Sequence, residues 1–156
     1  RRAGCLATCP WRFLTGPNLP EAAFRALSDG LPEGIVVERF RRDIASLLRR
    51  ARVSVSQAGY NTVLDVLAAQ VPAVFVPFAE GRESEQTLRA ERLAAKGAAE
   101  IVRADELSSD RLAAALDRAL ARGPSPPALD TGGARRAAAL IAGLIGERAP
   151  PTGSSA

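Results

Sequence analysis

Two short stretches carry side chains whose types and spacing could bind and orient a substrate. One is Ser56-Gln57-Ala58-Gly59-Tyr60-Asn61-Thr62 with Asp65 beyond it; the other is the pair Glu85-Gln86. The first leaves an apolar run at Val53, turns at Ala58-Gly59 and enters a helical pattern. A strand, a tight turn and a helix start together present backbone N–H groups and the positive end of a helix dipole. That chemistry suits a phosphate or a sugar nucleotide. Gly59 permits either a positive φ or close approach of the backbone to a ligand, and the N–H groups of Asn61 to Leu64 fall in an unpaired first turn. Asp65, about one turn further on, can accept two hydrogen bonds from vicinal hydroxyls such as those of a ribose. Its plainer role is that of an acid favouring the helix dipole. Gln86 offers a donor and an acceptor and Glu85 offers acceptors, which suits sugar hydroxyls; the plainer reading is a polar, acidic helix start. Asp65, Glu80, Glu83 and Glu85 match no metal-ligand spacing, so no metal and no cofactor are expected.

The elements that must position these residues alternate almost strictly. Short apolar runs at Trp11 to Thr15, Ile35 to Phe40, Val53 to Gln57, Ala73 to Phe78 and Ala99 to Val102 read as strands. Helical patterns lie between them: Pro20 to Leu27, Asp43 to Ala51, Asn61 to Gln70, and Glu85 to Lys96 stopped by Gly97. Ser108 or Ser109 caps a further helix with Leu112, Leu116 and Leu120 on one face, and residues 131–147 form a last one. Such alternation predicts an α/β fold, a Rossmann-like parallel sheet with helices on both faces. In such sheets ligands sit beyond the carboxyl ends of the strands. Phe40-Arg41, the turn from Gln57 to Thr62, and Phe78 to Gln86 are therefore expected at one edge.

The chain has 156 residues, enough for one domain with a proper core, assigned here to residues 11–148. Residues 1–10 read as the remnant of an upstream segment, and the Pro-, Gly- and Ser-rich residues 149–156 as a disordered tail. The net charge of +4 is modest and aromatics make up only 4%, which argues against a nucleic-acid reader. Arginine nearly excludes lysine, whose only copy is Lys96, a bias of coding more than of chemistry. No histidine is present, so an imidazole base must come from elsewhere. Cys5 and Cys9 make no closed zinc site and read as reduced thiols. No apolar run reaches membrane-span length and no signal peptide is evident, so a cytoplasmic protein is expected. The absence of methionine suggests the C-terminal part of a longer protein.

The stretches Ser56 to Asp65, Val71-Pro-Ala-Val-Phe-Val-Pro-Phe78 and Glu85-Gln86…Arg89-Ala90…Leu93…Gly97-Ala98-Ala99 resemble the C-terminal domain of glycosyltransferase family twenty-eight. That bacterial family includes the transferase that completes the lipid-linked peptidoglycan precursor. The resemblance covers residues 35–122 well and the remainder loosely. It implies the C-terminal half of a GT-B glycosyltransferase, binding a nucleotide-diphosphate sugar (a UDP-sugar) and transferring a hexosyl group to an acceptor hydroxyl. It also implies roles. The backbone at Phe40-Arg41 would meet the base, with Gly59 and Thr62 beside the diphosphate and sugar, and Gln57 and Asn61 in the same turn. Asp65 stands where the family has a glutamate for the ribose, and Glu85-Gln86 where it has a pair for the transferred sugar. The family's Gly-rich turn before Trp11 is lacking in residues 1–10, and the N-terminal acceptor domain with its general base is missing. The chain alone is therefore expected to be inactive. A nucleotide-sugar hydrolase or epimerase on the same scaffold, or a non-catalytic interaction domain, are the alternatives.

Overall fold

The structure is a computed structural model, and it describes residues 8–78, 85–124 and 132–147. The expected tail at 149–156 and most of the segment 1–10 lie outside the described residues, as do Glu80, Glu83 and the rest of the loop 79–84.

The alternation is realised: β1 (Trp11–Leu14), α1 (Glu21–Ser28), β2 (Ile35–Glu38), α2 (Ile44–Arg50), β3 (Ser54–Ser56), α3 (Tyr60–Ala69), β4 (Ala73–Phe75), α4 (Glu85–Ala95), β5 (Glu100–Ile101), α5 (Ser109–Arg122) and α6 (Gly133–Glu147). A short 3-10 turn, Ala104–Glu106, between β5 and α5 was not expected from the sequence. All strand pairs are parallel, but the strands divide between two ladders, β1–β2 and β3–β4–β5. The chain correspondingly forms two compact units, Arg1–Leu47 and Leu48–Ala156.

In the first unit, Trp11 to Leu14 pair in register with Ile35 to Glu38, and the Trp11 and Phe13 rings stack with centroids 6.3 Å apart. None of its described residues is fully buried, as expected where two strands and their helix cannot enclose a core. Polar ties add to the ring contacts. Arg39 lies 4.2 Å over the Phe24 ring, donates to the Leu19 carbonyl at 2.6 Å and pairs with Glu21. Arg12 of β1 and Arg41 both pair with Glu38 at the end of β2.

The second unit holds the core. Ala73, Val74 and Phe75 of β4, the central strand, are all buried. Successive strand side chains point to opposite faces, so the sheet is covered on both. Val63 and Val66 of α3, Ala90 and Leu93 of α4, and Ala58, Val71, Ala98 and Ala99 form one cluster with Ala73 and Phe75, with Leu48 and Ala51 against it. Helix ends follow local chemistry. Gln70 takes the left-handed conformation (φ 53°) that closes α3. Gly97 (φ 67°) closes α4 with a paired arrangement, its N–H on Ala94 and that of Ala98 on Leu93, the latter at 2.9 Å. Ser108, one of the two serines expected, caps α5 by accepting from the Arg111 N–H at 3.2 Å.

Candidate functional site

The parallel register puts Ser56, Phe75 and Ile101, the last residues of β3, β4 and β5, at one edge of the sheet. The segments 57–59 and 76–78 therefore leave from the same edge, joined by the Val76 N–H donating to the Ser56 carbonyl at 2.8 Å. This is the edge at which ligands sit in parallel sheets.

Gly59 is the N-cap of α3, but its φ of −60° and ψ of 148° are extended, so the positive φ allowed for it is not used. A Cβ built there would meet only Thr62 Oγ1, at 3.8 Å, an ordinary contact. Nothing among the described residues requires glycine here; the open face over Gly59 is a place where another molecule can approach the backbone. The Gly59 carbonyl takes the first bond of the helix, from the Val63 N–H at 2.9 Å. The N–H groups of Gly59, Tyr60, Asn61 and Thr62 precede it and have no partner among the described residues, because no side chain caps the helix. No acid lies in the first turn of α3, so its positive end is uncompensated. The Ser56 hydroxyl just before the turn is buried and without a hydrogen bond. Gln57, Asn61 and Asp65 are exposed and Thr62 is half-buried.

The start of α4 differs. Glu85 occupies its first turn, so this helix end opposes an anion and suits a neutral polyol instead. The Glu85 side chain is 89% exposed. Gln86 Oε1 accepts from the Phe78 N–H at 3.2 Å, which ties its oxygen to the backbone and leaves its NH2 group free to donate to a ligand.

Sequence reasoning gave no role to Arg89, although it lies within the resemblance. Arg89 Nη1 donates to the Ala58 carbonyl at 2.6 Å, its guanidinium lies 5.8 Å from the Tyr60 ring centroid, and Nη2 is 3.9 Å from Glu85. The signal was available. Gln86, Arg89, Ala90 and Leu93 follow the helical spacing of a buried stripe, and an arginine beside such a stripe needs a partner.

Phe40 and Arg41 lie in the first unit, Phe40 two residues beyond the end of β2 and exposed. The Arg41 side chain is taken up locally. Its Nε and Nη2 donate to the two carboxylate oxygens of Asp43 at 2.7 and 2.8 Å, and Nη1 reaches Glu38 at 3.2 Å. The Asp43 fork and the Glu38 charge push its pKa up further. What Arg41 could still offer to a ligand is therefore backbone. Among the described residues no group of three or more potential ligands could hold a metal ion.

Comparison with known proteins adds to this geometry. Residues 12–142 match the family model described as glycosyltransferase family 28 C-terminal domain. The UDP-N-acetylglucosamine--N-acetylmuramyl-(pentapeptide) pyrophosphoryl-undecaprenol N-acetylglucosamine transferase of Phenylobacterium zucineum is 37% identical over 106 residues, which cover 68% of this chain and 29% of that one. The protein of the same name from Sinorhizobium medicae is 34% identical, with 70% and 30% covered. The chain thus spans under a third of the length of these relatives. Among solved structures, Acinetobacter baumannii MurG superposes with a TM-score of 0.65 at 26% identity, covering 85% of this chain and 40% of that chain. The calicheamicin glycosyltransferase CalG4 gives 0.62 at 26% identity, covering 89% and 36%. The expected α/β fold of a GT-B C-terminal half is the one found.

Proposed function

This chain belongs to the glycosyltransferase family 28 C-terminal domain family, and from that premise we propose that it is the donor-binding half of an enzyme that transfers a hexosyl group from a UDP-sugar to an acceptor hydroxyl. The observation that carries the reading is the unpartnered, acid-free start of α3 at the same sheet edge as Gln86. The diphosphate lies against the N–H groups of Gly59 to Thr62, where the helix dipole and the amides stabilise the charge that grows as the bond to the anomeric carbon breaks. These donors take the part that a cation plays in metal-dependent transferases, and the reading assigns the domain no metal or other cofactor. Asp65 accepts from the ribose hydroxyls. The Gln86 amide donates to a hydroxyl of the transferred sugar and Glu85 accepts from another. The base is assigned to the backbone at Phe40-Arg41. Gln57 and Asn61 border the diphosphate turn with their free side chains.

The reaction is direct displacement: the acceptor oxygen bonds to the anomeric carbon as the bond to the diphosphate oxygen breaks. A base from the N-terminal acceptor domain takes the hydroxyl proton. In this reading the chain alone binds donor without turning it over, and it works in the cytoplasm, where the donor is supplied. Among the described residues no helix is long and apolar enough to cross a membrane.

Calorimetric titration of the chain with UDP, UDP-N-acetylglucosamine, ADP and GDP tests the reading. Binding of the uridine nucleotides in preference to the others supports it, and absence of any nucleotide binding overturns it. If the chain joined to its acceptor domain released free sugar from the donor in the absence of acceptor, transfer would give way to hydrolysis.

A further inference from the structure

We propose that Arg89 is a positioning residue of the donor site, fixing the peptide between Ala58 and Gly59 so that the Gly59 N–H is aimed as a donor. The proposal rests on the donor reading above. In a planar trans peptide the carbonyl and the following N–H point in opposite directions. Whatever holds the Ala58 carbonyl therefore also orients the Gly59 N–H. Arg89 holds that carbonyl at 2.6 Å, through a side chain only 26% exposed. It grips the far side of Gly59 as well, with its guanidinium 5.8 Å from the Tyr60 ring centroid, inside the range of a cation–π contact. Glycine has no side chain of its own to restrict the turn, and no residue caps α3. An outside clamp is then what fixes the direction of the first N–H of the set. The contact has an electrostatic effect too. A carbonyl oxygen in a turn that binds an anion would repel it, and a guanidinium on that oxygen neutralises its partial charge. Because α4 also carries Gln86, the same side chain ties the helix that meets the sugar to the turn that meets the diphosphate, across 31 residues of chain.

The test compares Arg89→Ala, Arg89→Gln and Arg89→Lys with the unmodified chain by two readouts. One needs no ligand: the NMR carbonyl-carbon shift of Ala58 and the amide shift of Gly59. The other is UDP affinity by calorimetry. The Ala and Gln variants should move both signals while core signals such as those of Phe75 stay in place, and should weaken UDP roughly ten- to a hundred-fold, as loss of a charged hydrogen bond does. The Lys variant keeps a charged donor without the planar fork and should recover part of both effects. Should the Ala variant fail to fold, Arg89→Gln and Arg89→Lys carry the comparison. Unmoved Ala58 and Gly59 signals would overturn the clamp. Moved signals with unchanged UDP affinity would overturn its role in the site. An unmodified chain that ignores UDP overturns the donor reading and the ligand half of this proposal with it, while the Ala58 signal still decides whether Arg89 holds the peptide.

Discussion

Replacing Gly59 by alanine separates folding from binding at a single methyl group. The backbone at this position is extended, φ −60° and ψ 148°, which alanine adopts without strain. The added carbon meets only Thr62 Oγ1 at 3.8 Å. Two small effects on stability then oppose each other. Alanine restricts the unfolded chain and stabilises by about 0.4–1 kcal/mol. It is also a poorer N-cap than glycine, by roughly 0.5–1 kcal/mol. The net change should fall within about 0.5 kcal/mol of zero, a Tm shift of no more than about 2 °C. Binding should respond quite differently. If a diphosphate packs against the Gly59 backbone, the methyl occupies its space, and overpacking of that kind costs about 1–3 kcal/mol. UDP affinity should fall roughly five- to 150-fold. Gly59→Ser sharpens the comparison, since serine caps a helix at least as well as glycine yet obstructs the same space. Thermal unfolding and UDP calorimetry on the three proteins give both numbers. A Tm loss above about 5 °C for Gly59→Ala would show that the turn is not as open as its geometry says. Unchanged UDP affinity would remove Gly59 from the ligand edge.

Other perturbations address the remaining parts. Asp65→Ala should weaken UDP by roughly ten-fold, as loss of hydrogen bonds to a charged group does, and leave 2′,3′-dideoxy-UDP unaffected; equal losses for both ligands would refute the ribose assignment. In the first unit, the hydrogen bond from Arg12, aided by Arg41, holds the Glu38 carboxyl below its ordinary value of 4.5. A depressed folded-state pKa means stability that is present above the unfolded value and lost as pH falls through the folded one. The Tm of the chain should therefore decline below about pH 4.5, and Glu38→Gln should flatten that decline; identical acid profiles would count against the pair. Phe75, fully buried in the central strand, should cost about 3–5 kcal/mol on truncation to alanine, a Tm loss of roughly 6–20 °C. A loss under about 2 °C would mean that the core closes around the gap.

The sheet edge was legible because its signals are local. Apolar triplets such as Ala73-Val-Phe75 read as buried strands, Gly97 as a helix stop and Ser108 as a cap, and each lies where its chemistry puts it. Strand ends ran shorter than the apolar runs, so β2 stops at Glu38, where the Arg12 and Arg41 pairs gather, and Phe40 stands beyond it. The division of the strands into two ladders was not legible, since the same alternating pattern is compatible with one sheet or two. At the site, residue types suggested what Gly59 and Gln86 could do, but a composition of options is not a geometry. Which φ a glycine takes, and which end of an amide is left over, depend on partners distant in sequence. The bond from Arg89 to the Ala58 carbonyl is of that kind, a contact between a side chain and a backbone atom whose identity leaves no mark in the residue name.

That bond also bears on the order in which the molecule is made. It closes a loop of 31 residues that contains α3 and β4, so the chain must lay down both before the guanidinium can find its acceptor. Closing so long a loop is unfavourable until other contacts have drawn its ends together. The helices and the β3–β4 pairing can nucleate without it, so the turn at Ala58-Gly59 should take its final shape late in folding. Changes at Arg89 should accordingly hasten unfolding and leave the refolding rate nearly untouched, which stopped-flow mixing would reveal; slowed refolding would instead put the clamp in the nucleus.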